Sequence, residues 1–199
     1  MPVDAVFRGI FFVVFFAALA ISGYHRRRAR QSGETIPRRA EGSAALMLRM
    51  ALALLVLVSY IAYVFAPNWI AWADLGLPMW FRWGAAAIAV ACLPAIWWMF
   101  VSIGDNISET VLTKRTHVLT THGPYRWIRH PLYAFALLWL LSLALLASNW
   151  LLLLWPCIGV VIVSLVVIPR EEANLIKAFG QQYEEYREQT GALLPRLRA

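Results

Sequence analysis

Residues 133–168 read YAFALLWLLSLALLASNWLLLLWPCIGVVIVSLVVI, and how this run is read decides the fold. It holds no Asp, Glu, Lys, Arg or His, and its single polar pair, Ser148-Asn149, divides it into two apolar halves. A helix needs about 20 apolar residues to cross a bilayer. The run therefore predicts a hairpin of two spans, 132–147 and 150–168, turning at Ser148-Asn149. The first is short, roughly 24 Å at 1.5 Å per residue, so it tilts little or is wrapped by its neighbours.

Further apolar runs at 6–24, 44–66 and 81–103 bring the expected spans to five. Composition agrees: 61% of the 199 residues are hydrophobic and 15% are charged, which no ordinary soluble domain shows. The expected fold class is an all-α integral membrane protein with about five transmembrane helices and a cytoplasmic C-terminal helix. Residues 1–103 supply three N-terminal spans with a basic cytoplasmic loop, and 104–199 form a second unit around the hairpin.

Positive charge sets the orientation. The loop HRRRARQSGETIPRRAEG, then Lys114, Arg115, Arg126 and Arg129, then Arg170, Lys177, Arg187, Arg196 and Arg198 all fall on one side. The stretch PNWIAWADLGLPMW has no Lys or Arg, and only Arg8 and Arg82 lie at that other face. By the positive-inside rule the N-terminus is outside and the C-terminus inside. The net charge of +7 is thus a topology signal rather than a nucleic-acid footprint, with attraction to anionic membrane lipids as the second reading of the Arg26–Arg39 cluster. Ala18-Leu19-Ala20 imitates a signal-peptide cleavage site, but the positive charges follow the apolar run, which fits a retained helix.

Other classes lose support. Spans two to five hold no Asp, Glu, Lys or His in their interiors, which disfavours an ion-coupled pump or transporter. There is no internal repeat and no G-x-G, so a Rossmann-type phosphate turn is absent. Cys92 and Cys157 sit in apolar spans as free thiols, and two isolated cysteines make no metal site. Trp69, Trp72, Trp80 and Trp83 read as interfacial anchors, and Pro94 and Pro156 as kinks in spans three and five.

The polar chemistry lies in two cytoplasmic blocks. In the first, HVLTTHGPYRWIRHPLY (117–133) contains three of the four histidines. Gly123-Pro124 marks a turn and Pro131 fits the first turn of span four. That puts Arg129 and His130 at a helix N-terminus, which favours an anion. Tyr125 and Tyr133 offer aromatic faces and hydroxyls.

In the second block, PREEANLIKAFGQQYEEYREQTGALLPRL (169–197), Pro169 is expected to start a cytoplasmic helix. Leu175, Phe179, Tyr183 and Tyr186 then form one stripe along it. Glu171 and Glu172 suit its first turn on dipole grounds alone. The bland reading is a headgroup arginine, a capping histidine and two dipole-favoured acids. The sharper one is a pocket with anion donors on one wall and carboxylates on the other, suited to a zwitterion with an extra positive centre.

GPYRWIRHPLY, followed one hairpin later by EEANLIKAFGQQYEEY and a final LLPRL, resembles the isoprenylcysteine carboxyl methyltransferase family, whose signature is shared with membrane phospholipid N-methyltransferases. The resemblance covers roughly 104–197 and makes 104–199 a methyltransferase-like, cofactor-binding region. It implies an enzyme that binds S-adenosyl-L-methionine at its cytoplasmic face and methylates a lipophilic, lipid-like acceptor arriving laterally from the bilayer.

Carried over by position, the cofactor site would comprise His117, Leu119, Gly123, Pro124, Tyr125, Arg129, His130, Pro131, Tyr133, Glu171 and Glu172. His130 and Arg129 would take the cofactor carboxylate, and Glu171 or Glu172 its amine and sulfonium. A carboxylate acceptor needs no general base, and Arg170 could hold it bidentately. An amine acceptor would need Glu172 or His117 as base. The family runs R-H-P-x-Y-x-G, whereas this chain has Phe135 at the glycine position, which bears on the acceptor more than on the cofactor. The alternatives are a phospholipid-type N-methyltransferase, a relative of membrane nicotinamide-dependent reductases, and a membrane binding protein without turnover. A bacterial-type plasma membrane fits the arginine-rich loop.

Overall fold

The structure is a computed structural model, and it describes residues 2–32, 43–104 and 118–196. Seven helices occur among these: α1 (Pro2–Ser32), α2 (Ser43–Phe65), α3 (Met79–Ile103), α4 (Pro131–Ala147), α5 (Trp150–Ile162), α6 (Ile168–Phe179) and α7 (Gln181–Gln189). The described residues include no strand, only isolated bridges joining Asp74 to Asn149 and Ile128 to Gly191. The all-α membrane architecture is as expected. Asp4–Gln31, Met79–Ile103 and Trp150–Phe179 are long and apolar enough to cross a membrane, while Met50–Phe65 and Pro131–Ala147 are shorter apolar helices.

Phe7, Phe11, Val14, Phe15 and Ala18 recur at helical spacing and are buried, whereas Phe12, Val13, Phe16 and Leu19 on the other side of α1 are exposed, as a helix facing lipid requires. Phe15 stacks on Trp139 of α4 at 5.6 Å, and Phe11 meets the Tyr60 ring edge of α2 at 5.4 Å. On α3 the buried face is Ala85, Ala89, Cys92 and Ile96. The small Ala85, Ala89 and Cys92 let α3 approach α4 closely, where Leu143, Ala144, Leu146 and Ala147 are also buried. A Cβ on Gly159 would lie 2.9 Å from Leu137 Cδ2, so the same logic brings α5 onto α4.

The hairpin turn falls at Ser148-Asn149 as expected. Ser148 adopts a left-handed conformation at φ 54°, and Asn149 caps α5 by accepting a hydrogen bond from Leu152 N–H at 3.2 Å. Asn149 Nδ2 donates to the Ile70 carbonyl at 2.9 Å. Ser148 Oγ donates to Asp74 at 2.9 Å and accepts from Leu77 N–H at 2.9 Å. The turn is thereby locked to the segment between α2 and α3.

One expectation is refined and one corrected. Pro169 stands in the first turn of α6, as expected, but α6 follows α5 and the turn between them without a break, so the chain stays helical from Trp150 to Phe179. A π-helical turn, Val163–Val167, ends two residues before the proline, and Ile168 N–H bonds to the Val163 carbonyl. Proline supplies no N–H and its ring crowds the carbonyl four residues back, so the wider turn accommodates it without a break. The break comes later, at Gly180, whose φ of 55° separates α6 from α7. The stripe is therefore split, with Leu175 and Phe179 on α6 and Tyr183 and Tyr186 on α7.

Candidate active site

The site forms where the turn ahead of α4, the polar extension of α5 beyond Ile168, and α7 converge. The Gly123–Arg126 turn is one of 3-10 type. Gly123 has φ 61°, and a Cβ there would collide with Ser102 Oγ at the end of α3. Only glycine meets both demands, and the consequence is that Pro124 and Tyr125 are buried against the bundle.

His130 then precedes α4, which starts at Pro131. The backbone N–H groups of Arg129 and His130 do not stay open to an anion. They donate to the carbonyls of Gly191 at 2.8 Å and Ala192 at 3.0 Å, and Gly191 N–H returns a bond to Trp127 O at 3.3 Å. A Cβ at Gly191 would collide with the Leu194 carbonyl, so this pairing also depends on glycine.

The side chains complete the connection. Arg129 Nε donates to Glu172 Oε1 at 2.9 Å, with both side chains mostly buried at 10% and 14% exposure. A second nitrogen of Arg129 donates to the Arg187 carbonyl at 3.0 Å and to the Thr190 carbonyl. His130 Nε2 lies 3.2 Å from the same Glu172 oxygen. The two expected walls are thus in direct contact, and the arginine is committed to holding α6, α7 and the C-terminal segment together. Tyr186 hydroxyl adds a hydrogen bond to Tyr125 O at 2.6 Å.

Glu171 differs from its neighbour. Its Oε2 is buried with no hydrogen-bond partner among the described residues, and His130 Nδ1 is 3.7 Å away. Burial raises the Glu171 carboxyl above its ordinary value and the Glu172 charge adds to this, while His130 and a Tyr133 hydrogen bond pull only partly back. Burial also pushes Glu172 up, but there the hydrogen bonds from His130 and Arg129 prevail and the net shift is downward. Burial raises Tyr125, reinforced by the Glu171 charge, and pushes Tyr186 up to about 12.

Of the residues expected from sequence, Tyr125, Arg129, His130, Tyr133, Glu171 and Glu172 come together. Gly123, Pro124 and Pro131 shape the backbone around them. Leu119 is half-buried in the irregular run before the turn, and His117 lies outside the described residues. Arg170 is exposed. It sits about 140–180° round the helix from Ile168, Leu175 and Phe179, away from the packed face. Sequence reasoning missed Tyr183 as a site residue, along with Thr190 and Gly191. The Gly191 turn residue was the signal for the last two.

Comparison with known proteins bears directly on this cluster. Residues 85–177 match the isoprenylcysteine carboxyl methyltransferase family model. The match takes in most of α3 and ends at Lys177, so it contains the Gly123 turn, His130 and both glutamates.

The chain is 33% identical over 104 residues to the protein-S-isoprenylcysteine O-methyltransferase of Schizosaccharomyces pombe, covering 48% of this chain and 41% of that protein. It is 32% identical over 97 residues to the Tribolium castaneum protein of the same name, covering 48% and 34%. The chain thus spans well under half the length of these curated relatives. A solved structure of a eukaryotic intramembrane Ras methyltransferase, an isoprenylcysteine carboxyl methyltransferase, aligns with a TM-score of 0.59 at 21% identity, covering 94% of this chain and 67% of that one. That likeness establishes a shared fold. The family resemblance carried by GPYRWIRHPLY and the paired glutamates is therefore found again in both sequence and fold.

Proposed function

We propose that the protein is an integral membrane, S-adenosylmethionine-dependent methyltransferase acting on a lipophilic acceptor, most readily by O-methylation of a carboxylate. The observation that carries this reading is the Glu171 carboxylate, whose buried Oε2 has no hydrogen-bond partner among the described residues and only the His130 imidazole at 3.7 Å, within a segment matching the family. Buried polar atoms in folded proteins are nearly always paired, so the exception calls for an explanation, and a bound ligand supplies one.

The donor set fits the cofactor. Glu171 offers a carboxylate oxygen that accepts no hydrogen bond from the described residues to an ammonium or sulfonium, Tyr125 and Tyr133 offer aromatic surface, and the Gly123 turn brings them against the bundle. When bound, the cofactor supplies an electrophilic methyl group on a sulfonium. The chain's own task is to orient the reactants and exclude water, because a carboxylate acceptor is already ionised at neutral pH. Glu172 acts as a positioning residue through Arg129, since a carboxylate held low by two donors is a poor base. Arg170 lies on the exposed face of the same helix, beside the glutamate pair.

The acceptor would reach the site laterally from the bilayer, and the site would face the cytoplasm, with the N-terminus outside and a bacterial-type plasma membrane as the setting. Calorimetric titration of the detergent-purified protein with S-adenosylhomocysteine tests the proposal. Saturable binding is expected, and a folded protein that binds none would contradict it.

A further inference from the structure

The continuous helix Trp150–Phe179 meets α4 twice, once in its apolar half and once in its polar half. In the apolar half Leu152 and Pro156 are buried, and Gly159 stands against Leu137 of α4. In the polar half Ile168 is buried, and Glu171 and Glu172 face His130, the residue that precedes α4. Arg170 is exposed. Because both halves turn to the same neighbour, their inner faces must lie on about the same side.

An uninterrupted α-helix would not place them so. Counted from Leu152 at about 100° per residue, Pro156 and Gly159 stay within roughly 40° of it. On the same count Arg170 would fall in line with Leu152, and Glu171 about 100° away. Ile168 and Glu172 would stand nearly opposite, beside Leu154 and Val161, which are exposed.

The turn Val163–Val167 removes the conflict. Its bond from Ile168 N–H to the Val163 carbonyl spans one residue more than an α-helical bond, so the chain beyond it lags by roughly 100°. Glu171 then takes the line of Leu152, Ile168 and Glu172 come to within about 100° of it, and Arg170 swings outward. The burial of Ile168 and the exposure of Arg170 agree with this count. Accommodating a proline is not a sufficient reason for the turn, since Pro94 and Pro156 lie inside α3 and α5 without one.

We infer that the Val163–Val167 turn is a phase-setting insertion, one residue longer than the α-helix needs, which brings Glu171 and Glu172 rather than Arg170 round to α4. It decides the sign of the charge that this helix presents to the candidate site, carboxylate instead of guanidinium. The turn is a positioning element and touches no ligand. Its effect does not depend on which cation the carboxylates bind.

The test changes the turn by one residue in each direction, reading thermal midpoint and calorimetric affinity for S-adenosylhomocysteine. Deleting Leu165, an exposed residue of the turn, leaves an α-helix with both faces still in phase, so midpoint and affinity should match the wild type. Inserting one alanine after Leu165 rotates the glutamates away. The midpoint should fall as the Glu172 contacts to Arg129 and His130 break, and affinity should drop about tenfold or more with the loss of charge-assisted contacts. Deleting Val163 in the insertion variant restores the length and should restore both readings.

A Leu165 deletion as damaging as the insertion would overturn the inference, and so would an insertion variant that melts and binds as the wild type does. If the wild type bound no S-adenosylhomocysteine, the proposed function would fall, while the order of the midpoints would still decide the phase.

Discussion

The two ends of the α4–α5 hairpin handle buried polarity in opposite ways. At the Ser148-Asn149 turn, the Asn149 amide and the Ser148 hydroxyl each both donate and accept, and Asp74 also takes the Gly76 N–H at 3.2 Å. At the other end, Arg129, His130 and Glu172 are joined as tightly, yet Glu171 Oε2 and Tyr183 Oη are left over. A closed network holds a fold. One that leaves buried atoms without hydrogen bonds holds a fold and keeps polar groups for which the proposed ligand would account.

The largest expected effects test the closed parts. Asn149→Ala removes the α5 cap and leaves the Ile70 carbonyl unpaired, for a loss of about 3 kcal/mol. Thermal unfolding in detergent should show it, with S-adenosylhomocysteine affinity of the remaining folded protein unchanged. Glu172→Gln breaks a mostly buried pair and leaves Arg129 uncompensated, again about 3 kcal/mol. Here affinity should fall as well, because α6 and α7 lose their connection.

Gly123→Ala comes next, at roughly 1–3 kcal/mol for a side chain forced to positive φ. The collision with Ser102 adds to that, and the displaced Tyr125 should weaken binding.

Smaller effects separate the two glutamates by pH. The folded carboxyl of Glu172 lies below its ordinary value, so its stabilisation is complete above about pH 4.3 and is lost as pH falls through the folded value. The folded carboxyl of Glu171 lies above it, so Glu171 weakens the fold increasingly as pH rises from about 4.3 through that value. In a melting series across this range, Glu172→Gln should flatten the acid limb. Glu171→Gln should gain on the wild type as pH rises.

The hairpin was legible because one polar pair interrupts an apolar run, and the paired glutamates because acids at a membrane edge stand out against their surroundings. What escaped was carried by the backbone. Proline normally ends a helix, and nothing in PREEANL announces that a π-helical turn will absorb Pro169. The spacing of the stripe continues past Gly180, so the pattern does not mark the break there. Arg129 read as an anion ligand because the carbonyls of Arg187 and Thr190 that claim it leave no mark in a side-chain pattern. Tyr183 was taken for apolar stripe, and only its unpaired hydroxyl distinguishes it from a phenylalanine.

The most direct test of the account crosses two single variants, Glu171→Gln and Glu172→Gln, measuring thermal midpoint and S-adenosylhomocysteine affinity for each at neutral pH. Glu171→Gln should keep or raise the midpoint while weakening affinity about tenfold or more, through loss of a charge-assisted contact. Glu172→Gln should lower the midpoint sharply. If Glu171→Gln instead destabilised the protein as much as Glu172→Gln, or bound the ligand as the wild type does, the division between a positioning and a ligand-binding carboxylate would be contradicted.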